Sequence, residues 1–448
     1  MVDSAINSYN LGKVTGNTNA LFNLDVRYSG GRLSADSMTV SSGSTGTINI
    51  GSLGSITVDT FGATNLINNN YTIQVLTKSN ASDTIALAIS DSLKNSFNRY
   101  ISVSNSTDYV GTIGVRVDGN NLVFGSIVRE DTLAAVNQFT PSGSEQNYNR
   151  EFTIASAKTF TATDNTGQTS TTSTMTVTGS SASIINYGGN YSGFDVPSGA
   201  NLTINKVSVQ NAKTFAVKNA GDTTITASSI LNTAGNAITN SGSLSITNTS
   251  FTGNYAIGSN THGAAIYSTS DVSIYANNST TSTFSGNYVA TSTSGTKTME
   301  AIYMAAADKN LNLNVTGRGK IVFDDAINGV SGKYNLNISG DNNANSYVKF
   351  NNNVTNANIK LTTTNLILGT SANFNGSVFS PESGTVNMQD GNKTAFNLGK
   401  VNSSPDAGFK IDLTFSSNAL QADTMTVASG STGTISISSI SGFSIGDT

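Results

Sequence analysis

Between residues 194 and 251 the apolar positions fall into columns. Val196, Val217 and Ile238 are spaced by 21 residues, as are Ile204, Ile225 and Ile246, and again Val209, Ile230 and Phe251. Asn219 and Asn240 keep the same spacing, as do Gly221 and Gly242. Inside each period apolar and polar residues alternate, as in Leu202-Thr-Ile204 and Leu244-Ser-Ile246. That is the two-residue period of a half-buried strand. A strand-rich rung of this length cannot bury its apolar face alone. Stacked on its neighbours at about 4.8 Å it can, and like residues then lie above one another. The pattern predicts an all-β fold, a parallel β-helix with rungs of about 21 residues. It also predicts an Asn ladder through 219 and 240 and corner glycines at 221 and 242 that bend the chain with positive φ.

Further along, the spacing loosens. Ile238 to Ile266 and Ile246 to Ile274 are steps of 28, Phe251 to Phe284 is 33, and Phe323 to Phe350 is 27. The extra residues, near YAIGSNTH and YANNSTTST, are expected to bulge as corner loops over 252–263 and 275–303. Loops on a rigid support carry specificity in solenoids. These hold Tyr255, Tyr275, Tyr288 and Tyr303, whose flat apolar faces and hydroxyls suit sugar or protein contact. The four tyrosines are the candidate ligand-contact residues.

A much longer period encloses the short one. Met1 aligns with Met388, Asp3 with Asp390, and Asn10-Leu-Gly-Lys-Val14 with Asn397-Leu-Gly-Lys-Val401. SADSMTVSSGSTGTINI (34–50) then aligns without a gap with QADTMTVASGSTGTISI (421–437). The offset of 387 residues divides the chain into an end module at 1–60, a connecting module at 61–150, a β-helix at 151–387 and a second copy of the end module at 388–448. Residues 61–150 share no rung period, and Ser90–Tyr100 reads as a short helix. Met1 aligns inside the repeat, so it reads as a cut at a repeat boundary.

Composition narrows the function classes. Only 11% of the 448 residues are charged, against about 25% in an average chain, yet 37% are apolar and in register, which favours ordered β-structure over a low-complexity tract. With a net charge of −4 and no basic cluster, nucleic-acid binding has no footing. No run approaches the ~20 apolar residues of a membrane helix, so no direct membrane insertion is expected. The chain has no Cys and one His, which argues against a zinc site, and no cofactor is expected.

Candidate chemistry is sparse. His262 sits in NTHGAAIY and reads as a loop residue without a partner. Asp324-Asp325 is the adjacent carboxylate pair, with Arg318 and Lys320 nearby. On a strand the two carboxylates point to opposite faces; at a corner they converge, as a lyase or glycosidase would need. The spans 341–345 and 163–165 offer oxygen ligands of the kind Ca²⁺ prefers, without the Asp density of a dedicated loop. The Thr tract at 166–179 is consecutive, whereas an ice-binding face repeats TxT at the rung period.

Two motif pairs carry a resemblance. Phe251-Thr-Gly-Asn254 followed by Gly263-Ala-Ala-Ile266, and Phe284-Ser-Gly-Asn287 followed by Glu300-Ala-Ile302, resemble the FxxN and GGAI repeats of chlamydial polymorphic outer-membrane proteins. LSADSMTVSSGSTGTINI and LQADTMTVASGSTGTISI resemble the end of autotransporter passenger β-helices. The resemblance implies a right-handed, three-faced β-helix with an adhesive role. It implies an extracellular place at the bacterial cell surface, anchored to the outer membrane by another part of the parent protein. The implied partners are glycans or proteins of host or bacterial surfaces and adjacent repeats of the same protein. No C-terminal barrel pattern is present in these residues. The competing reading is a polysaccharide lyase or glycoside hydrolase on the same scaffold, since sites are grafted on folds.

Overall fold

The computed structural model describes residues 3–442 apart from Ser4, Thr18, Ser55, 105–108, 131–148, 155–156, Lys158, 163–173, Ser181, Asn260 and 417–418. The span 163–165 and most of the Thr tract therefore lie outside the described residues. Two compact units divide the chain: Met1–Thr153 with Thr172–Thr176, and Ile154–Thr171 with Val177–Thr448.

The second unit is a parallel β-helix in which successive turns of the chain add a strand to each of three ladders. The first ladder includes Asn201–Asn205, Asp222–Thr226, Ser243–Thr247, Val272–Ala276, Asn310–Val315 and Tyr334–Gly340, every pair parallel. The second includes Ser208–Gln210, Ser229–Leu231, Ser250–Thr252, Thr281–Ser285, Lys320–Phe323 and Tyr347–Phe350. The third runs from Phe194–Val196 through Val217–Asn219, Ile238–Asn240, Ile266–Ser268 and Thr298–Met304 to Ala326–Gly329. Alternation places one side of each strand in a common core and the other in water.

Two of the apolar columns stack as the spacing predicts. Ile204, Ile225, Ile246 and Ile274 are in register, and Val209, Ile230, Phe251, Phe284, Phe323 and Phe350 form a second inner column, all without solvent exposure. The Phe251 and Phe284 rings stack at 4.9 Å, and Phe284 and Phe323 at 4.5 Å. The third column needs a correction. Val217 lies over Phe194, and Val196 lies over Asn219. Four residues (197–200) separate Val196 from the next strand, where Ala220 and Gly221 alone do so one rung on. The longer corner shifts the register of one ladder without disturbing its neighbour.

The corner ladder forms, with Asn219 Nδ2 donating to Asn240 Oδ1 at 2.7 Å and Asn240 Nδ2 to Ser268 Oγ at 2.9 Å. The glycines act differently from expectation. Neither Gly221 nor Gly242 has positive φ; a Cβ on Gly221 would sit 2.3 Å from the Ala200 carbonyl oxygen, and one on Gly242 2.0 Å from that of Gly221. They are glycine because successive rungs approach too closely for a side chain. Positive φ falls instead on Lys206, Ala227 and Asn248 at one corner and on Asn211, Asn232 and Gly253 at the next.

In the first unit, residues 71–130 contain an antiparallel sheet. Tyr71–Gln74 pairs with Asn121–Glu130, which pairs with Tyr109–Asp118, which pairs with Arg99–Ser104. Long antiparallel strands leave no rung period in the sequence, which is why the segment reads as irregular. The expected helix is present as Asp91–Phe97, capped by Ser90 Oγ accepting from Leu93 N. Val58–Phe61 and Ala63–Asn68 are also helical. Their buried residues share one core with Met38, Val40, Ile48 and Ile50 of the end module. Among the described residues no helix is long and apolar enough to cross a membrane.

Candidate functional site: an outward aromatic ledge

The four candidate tyrosines lie on strands, so the loop expectation is corrected. Tyr255 begins Tyr255–Ile257, Tyr288 begins Tyr288–Ala290, Tyr275 lies in Val272–Ala276 and Tyr303 in Thr298–Met304. The insertions break the apolar period, as bulging loops would. They build extra strands instead, since Tyr255–Ile257 pairs in parallel with Tyr288–Ala290, which pairs antiparallel with Thr298–Met304. A pleated strand puts alternate side chains on opposite faces, so a tyrosine beside a buried residue points out.

Two aromatic tiers result. In the first, the Tyr255 and Tyr288 rings stack at 5.6 Å with 13° between their planes, and Lys297 Nζ lies 4.2 Å from the Tyr288 centroid. Ile257 and Met299 are exposed beside them. A shallow groove of about 430 Å³ runs along Tyr255, Asn236, Gly235, Thr214, Thr261 and Thr293. In the second tier Tyr303 stacks on Tyr267 at 5.9 Å and on the imidazole of His262 at 4.2 Å. The strand Thr298–Met304 links them, carrying Met299 at one end and Tyr303 near the other. Tyr275 is not part of either tier: it is an exposed residue of the first ladder, in register with Thr247 and Asn314.

His262 sits against a carboxylate, without a hydrogen bond at its Nδ1. Its Nδ1 is 3.3 Å from Oε1 of Glu300, a carboxylate buried at the base of the ledge. Glu300 also accepts from the Gly263 amide at 2.6 Å and from Asn328 Nδ2 at 2.5 Å, and Asn328 Oδ1 in turn accepts from Thr355 Oγ1. Asn236 Nδ2 donates to the carbonyls of His262 and Gly263, holding the histidine segment against the groove. A buried carboxylate needs such donors to offset lost hydration. Burial, and next the charge of Glu300, push the Tyr303 phenol above its ordinary pKa, so it stays a hydrogen-bond donor. Tyr267 and the approach of His262 to Glu300 are what sequence reasoning missed. The signal was the repeat Ala265-Ile-Tyr267 and Ala301-Ile-Tyr303, one residue beyond the motif.

The Asp324-Asp325 pair does not converge. Asp324 is exposed and its Oδ1 accepts from Asn351. Asp325 points inward, accepting from the amides of Gly286 and Asn287 and from Asn287 Nδ2. Burial raises its pKa, opposed by those hydrogen bonds. Arg318 has positive φ, and Lys320 lies over the Tyr347 ring. Asp341 accepts from the Gly317 and Asn343 amides, closing a polar turn, and its pKa is lowered chiefly by the Gly317 bond. No cluster of three or more potential metal ligands exists among the described residues.

The FxxN residues have a physical role. Asn254 Oδ1 accepts from the Thr233 amide, Asn287 Oδ1 from Asn254 Nδ2, and Asp325 Oδ2 from Asn287 Nδ2. This buried row sits behind the Phe column at one corner. No family model, curated protein or solved structure matches the chain.

Proposed function

We propose that the chain is a non-catalytic segment of an extracellular bacterial surface adhesin, whose β-helix holds an aromatic ledge against a glycan or protein of another surface. The observation that carries this reading is the ledge. Five ring-bearing residues (Tyr255, Tyr288, Tyr267, Tyr303 and His262) are stacked across rungs on the outside of a rigid core. Spending large aromatics on the water side has a cost in exposed apolar area that a plain spacer would avoid. The aligned ring edges and hydroxyls, bordered by Asn236, Asn328 and Lys297, suit a sugar ring or an extended peptide. The motif resemblance to passenger domains supports the same placement at a cell surface. The inward aim of Asp325 counts against the lyase or glycosidase reading, because a structural carboxylate is not positioned to meet substrate.

The test is attachment to glycan arrays and to cells, with the chain and with Tyr255→Ala/Tyr288→Ala and Tyr267→Ala/Tyr303→Ala. Each double variant should lose about tenfold or more in apparent affinity at unchanged folding, as central aromatic contacts do. Attachment unchanged in both would remove the ledge from the function. Oligosaccharide release that disappears in Asp324→Asn would replace the adhesin reading with the enzyme.

A further inference from the structure

Each strand contact of residues 8–52 recurs 387 residues later. Ser8↔Ser37 becomes Ala395↔Thr424, and Tyr9↔Met38 becomes Phe396↔Met425. The antiparallel hairpin Val26↔Ala35 becomes Leu413↔Ala422. Leu21↔Asn49 becomes Gly408↔Ser436, with the same irregularity one pair further on. Buried and half-buried polar contacts repeat too. Asp36 accepts from the Asn7 and Asp25 amides, as Asp423 does from those of Thr394 and Asp412. Ser44 Oγ accepts from Val14 N, as Ser431 Oγ does from Val401 N.

What differs is the cover. In the first copy Met38 lies in register with Leu76, Ile48 with Leu87 and Ile50 with Ile89, and Tyr28 packs on Phe61 at 4.6 Å and Tyr71 at 5.1 Å. Val40 and Ile50 are 0% exposed and Leu53 2%. Their counterparts Val427, Ile437 and Ile440 are 42%, 44% and 51% exposed; Phe415, in the place of Tyr28, is 62% exposed and Leu420, in the place of Leu33, 58%. Five large apolar side chains thus lie exposed, three at positions whose twins (Val40, Ile50 and Leu53) are buried and two at positions whose twins (Tyr28 and Leu33) are half-buried against the core.

We propose that residues 413–440 are the seat of a second connecting module, of the kind formed by residues 56–124, delivered in tandem in the same polypeptide. Its strands equivalent to Leu76–Lys78 and Ala86–Ile89 pair in parallel with Thr424–Thr426 and Ser436–Ser441, and its aromatic residues at 61 and 71 close over Phe415. The first copy is the template for this interface, down to the Met38 amide that donates to the Val75 carbonyl and whose counterpart is Met425.

The experiment is a chain in which residues 52–130 follow Ser438 in place of 439–448. Amide exchange at Met425 and across 436–438 should slow by about 100-fold relative to the original chain, and binding of an apolar dye such as ANS should fall. A second extended chain, with Leu76→Asp and Leu87→Asp in the appended copy only, should show neither change. If exchange and dye binding in the extended chain match those of the original, the proposal is wrong. The same holds if the two aspartates leave the protection intact. Neither outcome depends on whether the ledge binds a glycan.

Discussion

The rungs of 194–251 and those of 252–329 share one core and differ in what they carry outside it. In the first set Lys218 and Thr239 lie on the outer column of the third ladder, with Lys218 paired to Asp195. In the second set the same column continues as Tyr267 and Tyr303, and the chain between strands lengthens enough to add the Tyr255 and Tyr288 strands. Inside, Ile246 still meets Ile274 and Phe251 still meets Phe284. Rung length is therefore decoupled from core register. Stacking requires each rung to return to the right place and leaves the path between strands free, so the inside can be conserved while the outside acquires a surface for recognition.

The sharpest way to break that comparison is a charge in the shared column. Ile225→Asp should lower unfolding free energy by roughly 3–5 kcal/mol, because a fully buried carboxylate would face Ile204 and Ile246 with no counter-ion; urea unfolding checks it. Next comes the corner row of the longer rungs. Asn287→Ala removes the acceptor shared by the Asn254 backbone and side-chain amides and a donor to Asp325, and should cost about 2–3 kcal/mol, read by the same measurement.

A smaller effect is expected from pH. Burial raises the Asp325 carboxyl pKa in the folded state, so its proton is held more tightly there than in the unfolded chain. Its contribution to stability is present below the ordinary carboxylate range and is lost as pH rises through the raised folded value. Asp59, lowered chiefly by its hydrogen bond to Arg99, has the opposite sign: its contribution is present above the ordinary range and fades as pH falls. Carboxyl NMR should place the Asp325 midpoint above that of Asp59, and the reverse order would contradict the burial of Asp325. The smallest effect belongs to the ledge: Tyr267→Ala should change stability by less than about 1 kcal/mol while weakening attachment. A large loss of stability would mean that the outer column is structural.

Much of the fold was legible because a stacked solenoid writes its register into the sequence as a period. The isoleucine and phenylalanine columns needed only spacing. The Val196 column went astray because spacing cannot see that one corner is longer and its neighbour compensates. Gly221 and Gly242 were placed correctly but explained wrongly, since sequence does not distinguish a glycine that bends from one that yields room. The ledge was half legible. Tyr255, Tyr288 and Tyr303 followed from their types, whereas Tyr267 required strand register, and the contact of His262 with Glu300 joins residues that no short motif brings together. Residues 71–130 were opaque because antiparallel pairing leaves no long-range period.

The corner row from Thr233 to Asp325 also bears on how such a chain can grow. An asparagine offers both a donor and an acceptor, so a duplicated rung carrying Asn254 or Asn287 would slot into the row and prolong it. Asp325 accepts from Asn287 but, as a carboxylate, has nothing to donate onward. Copying its rung would set two carboxylates next to each other in a buried corner, with no side-chain donor between them. A rung copied on the Asn254 side would therefore prolong the row, whereas one copied on the Asp325 side would interrupt it.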